Sequence, residues 1–182
     1  MLSPFFYNGR VPRTSAIYLI GMTGVGKSTI GAELAARLGR VFLDSDQEVE
    51  RRTGRSISEI FSADGEAAFR MLEAEVIASL AMDGAVIALG GGASVQPGAM
   101  DRLLESGEVI FLEAAPAVLL KRIGDSSSRP LLAGLDGAGR IDKLASLLAE
   151  RLPSYRLARI HVDAEGATAG VVDRIVDELA AA

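Results

Sequence analysis

The octapeptide Gly21-Met22-Thr23-Gly24-Val25-Gly26-Lys27-Ser28 fits G-x-x-x-x-G-K-[ST] at every position. It constrains this chain more than any other feature, because it demands a particular setting. The backbone must leave a buried strand, wrap a phosphate, and enter a helix whose first N–H groups point at that phosphate. Both neighbours are present. Ala16-Ile17-Tyr18-Leu19-Ile20 is a short apolar run that ends on glycine and reads as a buried strand. Residues 28–38 then place Ile30, Leu34, Ala35 and Leu38 on one helical face and stop at Gly39. Strand, loop and helix together predict a site for a nucleoside triphosphate. Gly24, Val25, Gly26, Lys27, Ser28 and Thr29 contact its phosphates, Lys27 brings a mobile positive charge, and the Ser28 hydroxyl is a ligand for Mg2+.

The rest of the chain repeats the alternation. Apolar runs at 41–43, 85–89, 109–112 and 160–163 read as strands, and residues 117–123, 141–151 and 169–179 read as helices. Residues 47–80 form a helical excursion broken at Gly54 and Gly65, with Ser56 and Glu59 spaced as a capping box. The predicted fold is α/β: a P-loop NTPase-type doubly wound parallel sheet of about five strands flanked by helices. Residues 16–182 form one domain behind an N-terminal extension, 1–15. The Gly/Ser-rich stretch 124–140 interrupts the regular pattern as a lid would.

Composition narrows the function. Cysteine is absent, so disulfides and thiolate metal sites are excluded and any metal must be held by oxygen. The single histidine, His161, has no neighbour that suggests chemistry. A net charge of −5 argues against a nucleic-acid partner. No apolar run reaches the roughly 20 residues that would cross a bilayer, and the first 15 residues lack the pattern of an export signal. A cytoplasmic protein, expected to be a monomer, follows. No N-K-x-D tetrapeptide is present, which disfavours a guanine-specific GTPase.

The second strand ends in Asp44-Ser45-Asp46. If the backbone stays extended, the two acids point to opposite sides. Asp44 then serves Mg2+ through water, and Asp46 orients or deprotonates an acceptor hydroxyl. From spacing alone, both acids could instead solvate the strand end or cap the next helix.

Four further blocks follow the P-loop in order: Phe42-Leu43-Asp44-Ser45-Asp46, Gly54-Arg55-Ser56-Ile57-Ser58-Glu59-Ile60-Phe61, Gly65-Glu66 with Phe69-Arg70, and Gly90-Gly91-Gly92-Ala93. In this order the chain resembles the shikimate kinase family from about Ile17 onward, more weakly after Val162. The resemblance implies transfer of phosphate from ATP, with Mg2+, to the 3-hydroxyl of shikimate, a step toward chorismate and the aromatic amino acids. It implies Asp46 as base and hydroxyl ligand, Asp44 as support for Mg2+ through water, and Arg70 and Arg151 on the substrate carboxylate. Gly90, Gly91 and Gly92 become a turn against the substrate, Arg129 a lid arginine that closes over the phosphates, and Arg122 a residue that stacks on adenine. Alone, Arg70 and Arg129 would read as surface charges, the glycines as a tight turn, and Arg122 as a helix-end cation. The loop Ala164-Glu165-Gly166-Ala167 departs from the family in offering no arginine, so the base has only backbone there. A gluconate kinase on the same scaffold is the nearest rival, and it would place a histidine soon after the acidic pair, where none occurs. A non-catalytic nucleotide-binding module is the rival from another class. It is disfavoured because Lys27, Asp44, Asp46, Arg70, Arg129 and Arg151 are all retained.

Overall fold

The structure is a computed structural model that describes residues 15–81, 84–124 and 135–181. Arg129, most of the expected lid and the N-terminal extension apart from Ser15 lie outside the described residues.

Five strands, β1 (Ala16–Ile20), β2 (Phe42–Asp44), β3 (Val86–Ala88), β4 (Gly107–Glu113) and β5 (Ile160–Asp163), form one sheet in the order β2-β3-β1-β4-β5. Every pairing is parallel, with Leu19 opposite Ala88 on one side and opposite Ile110 on the other. A parallel sheet covered on both faces needs strands that are apolar throughout. β1 and β3 meet that requirement, since every residue in them is buried. The edge strand β5 instead alternates, with Ile160 and Val162 inward and His161 and Asp163 outward.

Seven helices connect the strands among the described residues: α1 (Lys27–Leu38), α2 (Ser45–Thr53), α3 (Ile57–Leu80), α4 (Ala99–Ser106), α5 (Pro116–Ile123), α6 (Gly137–Tyr155) and α7 (Thr168–Ala181). Their ends follow local chemistry. Ser56 and Glu59 close the expected capping box on α3, and Pro116 opens α5 at a position where its missing N–H costs nothing. Gly54 ends α2 at φ 66°, and Gly65 kinks α3 at φ 83° and ψ 171°, so both expected breaks occur.

Two features differ from expectation. α4 and the short 3-10 turn Ala93–Val95 interrupt what pattern reading leaves as loop. α6 runs beyond Arg151 and through Pro153 to Tyr155. Pro153 forfeits one helical N–H bond, but the last turn is docked elsewhere: the Ser154 hydroxyl donates to the Ser94 carbonyl at 2.6 Å and Tyr155 is fully buried.

Because all five strands run the same way, their carboxyl ends share one edge. Gly21, Asp44, Gly90 and Ala164 all come to that edge, the crevice where open α/β sheets bind ligands.

Candidate active site

A cleft of about 460 Å³ opens along this edge. It is lined by the P-loop from Thr23 to Ile30, by Asp44 and Asp46, by Leu89, Gly90 and Gly91, and by Arg122, Ala164, Gly166, Thr168 and Val171. The loop is shaped by glycines that other residues could not replace. Gly24 and Gly26 sit at φ 83° and 104°, and a Cβ on Gly21 would lie 2.5 Å from the Leu112 carbonyl oxygen. Gly26 is the N-cap of α1 and offers no side chain to the helix's first N–H groups, which suits an anion as their partner. Lys27 Nζ donates to the carbonyls of Gly21 at 2.8 Å and Met22 at 3.0 Å, which hold the ammonium across the mouth of the loop.

The two acids take a different geometry from an extended strand end. β2 stops at Asp44 and α2 begins at Ser45, so Asp46 lies in the first helical turn and both acids line the same cleft. Asp44 makes this switch itself. Its Oδ1 accepts the N–H groups of Asp46 at 3.0 Å and Gln47 at 3.4 Å as an N-cap, while its Oδ2 accepts the Ser28 hydroxyl at 2.6 Å. Of the two acids only Asp44 caps the helix, through one carboxylate oxygen, while its other oxygen faces Ser28. Ser28 donates its proton to Asp44 and keeps two lone pairs. This is an oxygen site suited to Mg2+, which binds through few protein ligands, waters and phosphates rather than an all-protein cage. Among the described residues no cluster of three or more His, Cys, Asp or Glu is gathered as such a cage.

Asp46 is partly buried, and desolvation pushes its carboxyl above the ordinary aspartate range. The Asp44 charge adds to that, while Lys27 and Arg70 oppose it.

Behind Asp46, α3 presents Arg70 along Phe69, with the guanidinium carbon 5.1 Å from the ring centroid. The fork is tied down at both ends. Nη1 donates to Glu73 Oε2 at 2.7 Å, and Nη2 donates to Glu66 Oε1 at 3.1 Å. Glu73 is 2% exposed, and its other oxygen has no hydrogen-bond partner. Burial raises the Glu73 carboxyl above its ordinary value, with Arg70 opposing. Pattern reading passes over Glu73, although its i,i+3 spacing from Arg70 on one helix is the available signal.

The glycine turn is where these groups meet. A Cβ on Gly90 would lie 2.5 Å from Glu73 Oε1 and 2.6 Å from Asp46 Oδ1. One on Gly92 would collide with Arg70 Nη2, and one on Gly91 would stand 3.2 Å from Arg151 Nη1. The turn thus brings Asp46, Arg70 and Arg151 around three bare Cα atoms. The three N–H groups are not equivalent. Gly90 N–H is already taken by the buried Ser45 hydroxyl at 3.0 Å, so Gly90 contributes room rather than a donor. Ser45, missed in the sequence, ties the start of α2 to this turn.

Arg122 lines the nucleotide end of the cleft, where Nη1 donates to the Val25 carbonyl at 2.7 Å and Nη2 to the Ala164 carbonyl at 2.8 Å. It thereby joins the P-loop to the loop after β5. His161 lies away from the cleft, exposed, with its ring edge on Phe111 and Nε2 3.0 Å from the Ala158 carbonyl oxygen.

A five-stranded parallel sheet with a P-loop after its central strand, and an acid and two arginines gathered beyond the phosphate end, is the arrangement of a P-loop kinase. The family model for shikimate kinase matches residues 23–180. A shikimate kinase of Mycobacterium avium is 48% identical over 160 residues, covering 87% of this chain and 89% of that one. Among solved structures, shikimate kinase from Acinetobacter baumannii in complex with shikimate superposes with a TM-score of 0.84 at 38% identity, over 91% of this chain and 92% of that one. Shikimate kinase from Bacteroides thetaiotaomicron gives 0.85 at 32% identity, over 91% and 98%. The chain belongs to the shikimate kinase family, whose reaction is the ATP-dependent phosphorylation of shikimate to shikimate 3-phosphate in aromatic amino-acid biosynthesis.

Proposed function

We propose that this chain transfers the γ-phosphoryl group of ATP to the 3-hydroxyl of shikimate, with Asp46 as the base and Arg70 and Arg151 as the clamp on the substrate carboxylate. The observation that carries the assignment of roles is the convergence of Asp46, Arg70 and Arg151 on the Gly90–Gly92 turn, next to the P-loop. An acceptor with hydroxyls at one end and a carboxylate at the other matches that charge pattern. A guanidinium grips a carboxylate through parallel N–H bonds, and Arg70 arrives with its fork already oriented by Glu73 and Glu66.

In the reaction the acceptor oxygen bonds to the γ-phosphorus as the bond to the β-bridging oxygen breaks, and the hydroxyl proton passes to Asp46. Little of this is covalent work for the protein, so the rate comes from alignment and from charge facing the transferring group. Lys27 and the N–H groups at the start of α1 supply part of that charge. Mg2+, held by Ser28 and through water by Asp44, would neutralise the β and γ phosphates. The family resemblance assigns Arg129 the remaining charge on the phosphates and Arg122 the adenine. The enzyme on this reading is a cytoplasmic monomer acting on two small molecules.

One assay tests the reading. ADP release is followed with shikimate, quinate and gluconate as acceptors in the presence of Mg2+. Turnover should be confined to shikimate or strongly favour it, and turnover with gluconate alone, or with none of the three, rejects the proposal.

A further inference from the structure

The Gly91 carbonyl receives two donors from a single helix. Arg151 and Tyr155 stand four residues apart on α6 and so share a face. Arg151 Nη1 reaches the oxygen at 3.1 Å, and the Tyr155 hydroxyl reaches it at 2.6 Å. A carbonyl oxygen has two lone pairs and can accept both. The two bonds differ in strength and in permanence. The Tyr155 bond is the shorter, and its donor is fixed. Tyr155 is 0% exposed, its ring packs 5.0 Å from that of Phe111, and the neighbouring Ser154 is bonded to Ser94. Burial also raises the Tyr155 hydroxyl above its ordinary pKa, so it stays a donor. The Arg151 side chain is only partly buried, and on the reading above it has a second task at the substrate carboxylate.

A trans peptide points its C=O and N–H in opposite directions. Holding the Gly91 oxygen toward α6 therefore fixes the Gly92 N–H away from it. Ser45 holds the other end of the turn through Gly90 N–H.

We propose that Tyr155 is a positioning residue for the acceptor: its hydroxyl keeps the Gly91 carbonyl in place when Arg151 turns to the substrate carboxylate. This rests on the function proposed above. Without the hydroxyl, Arg151 is the donor left on Gly91 among the described residues and must choose between the turn and the substrate. The free protein then loses little, because Arg151 still satisfies the carbonyl. The cost falls on acceptor binding.

Tyr155→Phe tests this, since it keeps the ring and its packing on Phe111. The KM for shikimate should rise about five- to tenfold, the range expected for one lost hydrogen bond. The KM for ATP should stay within about twofold, and the melting temperature of the free protein should change little. The rise in melting temperature on adding shikimate should shrink, while that on adding Mg-ATP persists. A shikimate KM like that of the wild type, or equal rises in both KM values with a large fall in melting temperature, overturns the proposal in favour of a purely structural tyrosine. If the variant does not fold, wild-type protein carrying 13C-labelled glycine answers instead: the Gly91 carbonyl resonance should keep its hydrogen-bonded position through a shikimate titration, and its movement toward an unbonded position overturns the idea. Failure of the wild type to phosphorylate shikimate at all would strike the functional reading, which the ADP-release assay detects separately.

Discussion

Ser28 Oγ donates to Asp44 Oδ2 at 2.6 Å, which joins the last residue of the P-loop to the last residue of β2. Asp44 also caps α2 through its other oxygen. Replacing it should therefore have two separable effects. Asp44→Ala should raise the Mg2+ concentration for half-maximal activity by tenfold or more, because Ser28 loses the acceptor that orients its lone pairs. It should also lower stability by about 1 kcal/mol, the usual value of an N-cap. A magnesium titration and a urea unfolding curve on the same variant read the two effects. An unchanged magnesium requirement would leave Asp44 as a cap and nothing more.

Asp46→Asn keeps the shape of the side chain and removes its basicity. General-base assistance contributes about 10²- to 10⁴-fold, so kcat should fall within that range while the dissociation constant for Mg-ATP stays close to that of the wild type. Steady-state kinetics and calorimetry with the nucleotide check the pair of values. Wild-type turnover in this variant would remove Asp46 from the chemistry.

The same residue sets a pH dependence with a definite sign. Burial and the Asp44 charge raise the Asp46 carboxyl above the ordinary aspartate value of about 3.9. If Asp46 is the base proposed above, activity requires its ionised form, so kcat/KM for shikimate should climb with pH through this raised value, and Asp44→Asn should move the acid limb to lower pH. Stability runs the other way. The folded state holds this proton more tightly than the unfolded state, so Asp46 costs no stability below its unfolded pKa and becomes progressively destabilising as pH rises through the folded one. Asp46→Asn should thus stabilise the protein at neutral pH, and the gain should vanish near pH 3. Urea midpoints across that interval test it.

Only part of the fold and site is legible in the sequence alone. The P-loop, the five strands and the capping box are readable because each is a local pattern with a local cause. The helical start at Ser45 is not, because a run ending in Asp-Ser-Asp fits a strand as well as a cap, and only the bonds from Asp46 and Gln47 to Asp44 decide between them. Glu73 escapes because one more acid on a charged helix looks solvated, whereas the Gly90 turn and the Arg70 guanidinium beside it leave it 2% exposed. Tyr155 escapes because Pro153 argues for ending the helix before it, and the contacts that carry α6 onward lie some 60 residues away in sequence, at Gly91 and Ser94.

Arg70 separates charge from shape. Arg70→Lys retains the positive charge but loses the planar fork that lies along Phe69 and meets Glu73 and Glu66. A lysine cannot offer the substrate carboxylate two parallel donors. Hydrogen bonds to charged groups contribute about 1.5–3 kcal/mol, so the KM for shikimate should rise by roughly ten- to a hundredfold, with the KM for ATP little changed. A rise of less than threefold would mean that charge alone suffices and that Arg151 carries the recognition.

Gly90→Ala probes the crowding from which the whole acceptor site is built. The added methyl would lie 2.5 Å from Glu73 Oε1 and 2.6 Å from Asp46 Oδ1. Neither carboxylate has much freedom to retreat: Glu73 is buried and held by Arg70, and Asp46 is fixed in the first turn of α2. Overpacking of this kind costs about 1–3 kcal/mol, and the strain must fall on the base, on the arginine behind it, or on the turn itself. The variant should lose most shikimate turnover while still binding ATP, because the P-loop is built on a different strand. Loss of nucleotide affinity equal to the loss of turnover would show that the turn and the P-loop yield as one unit.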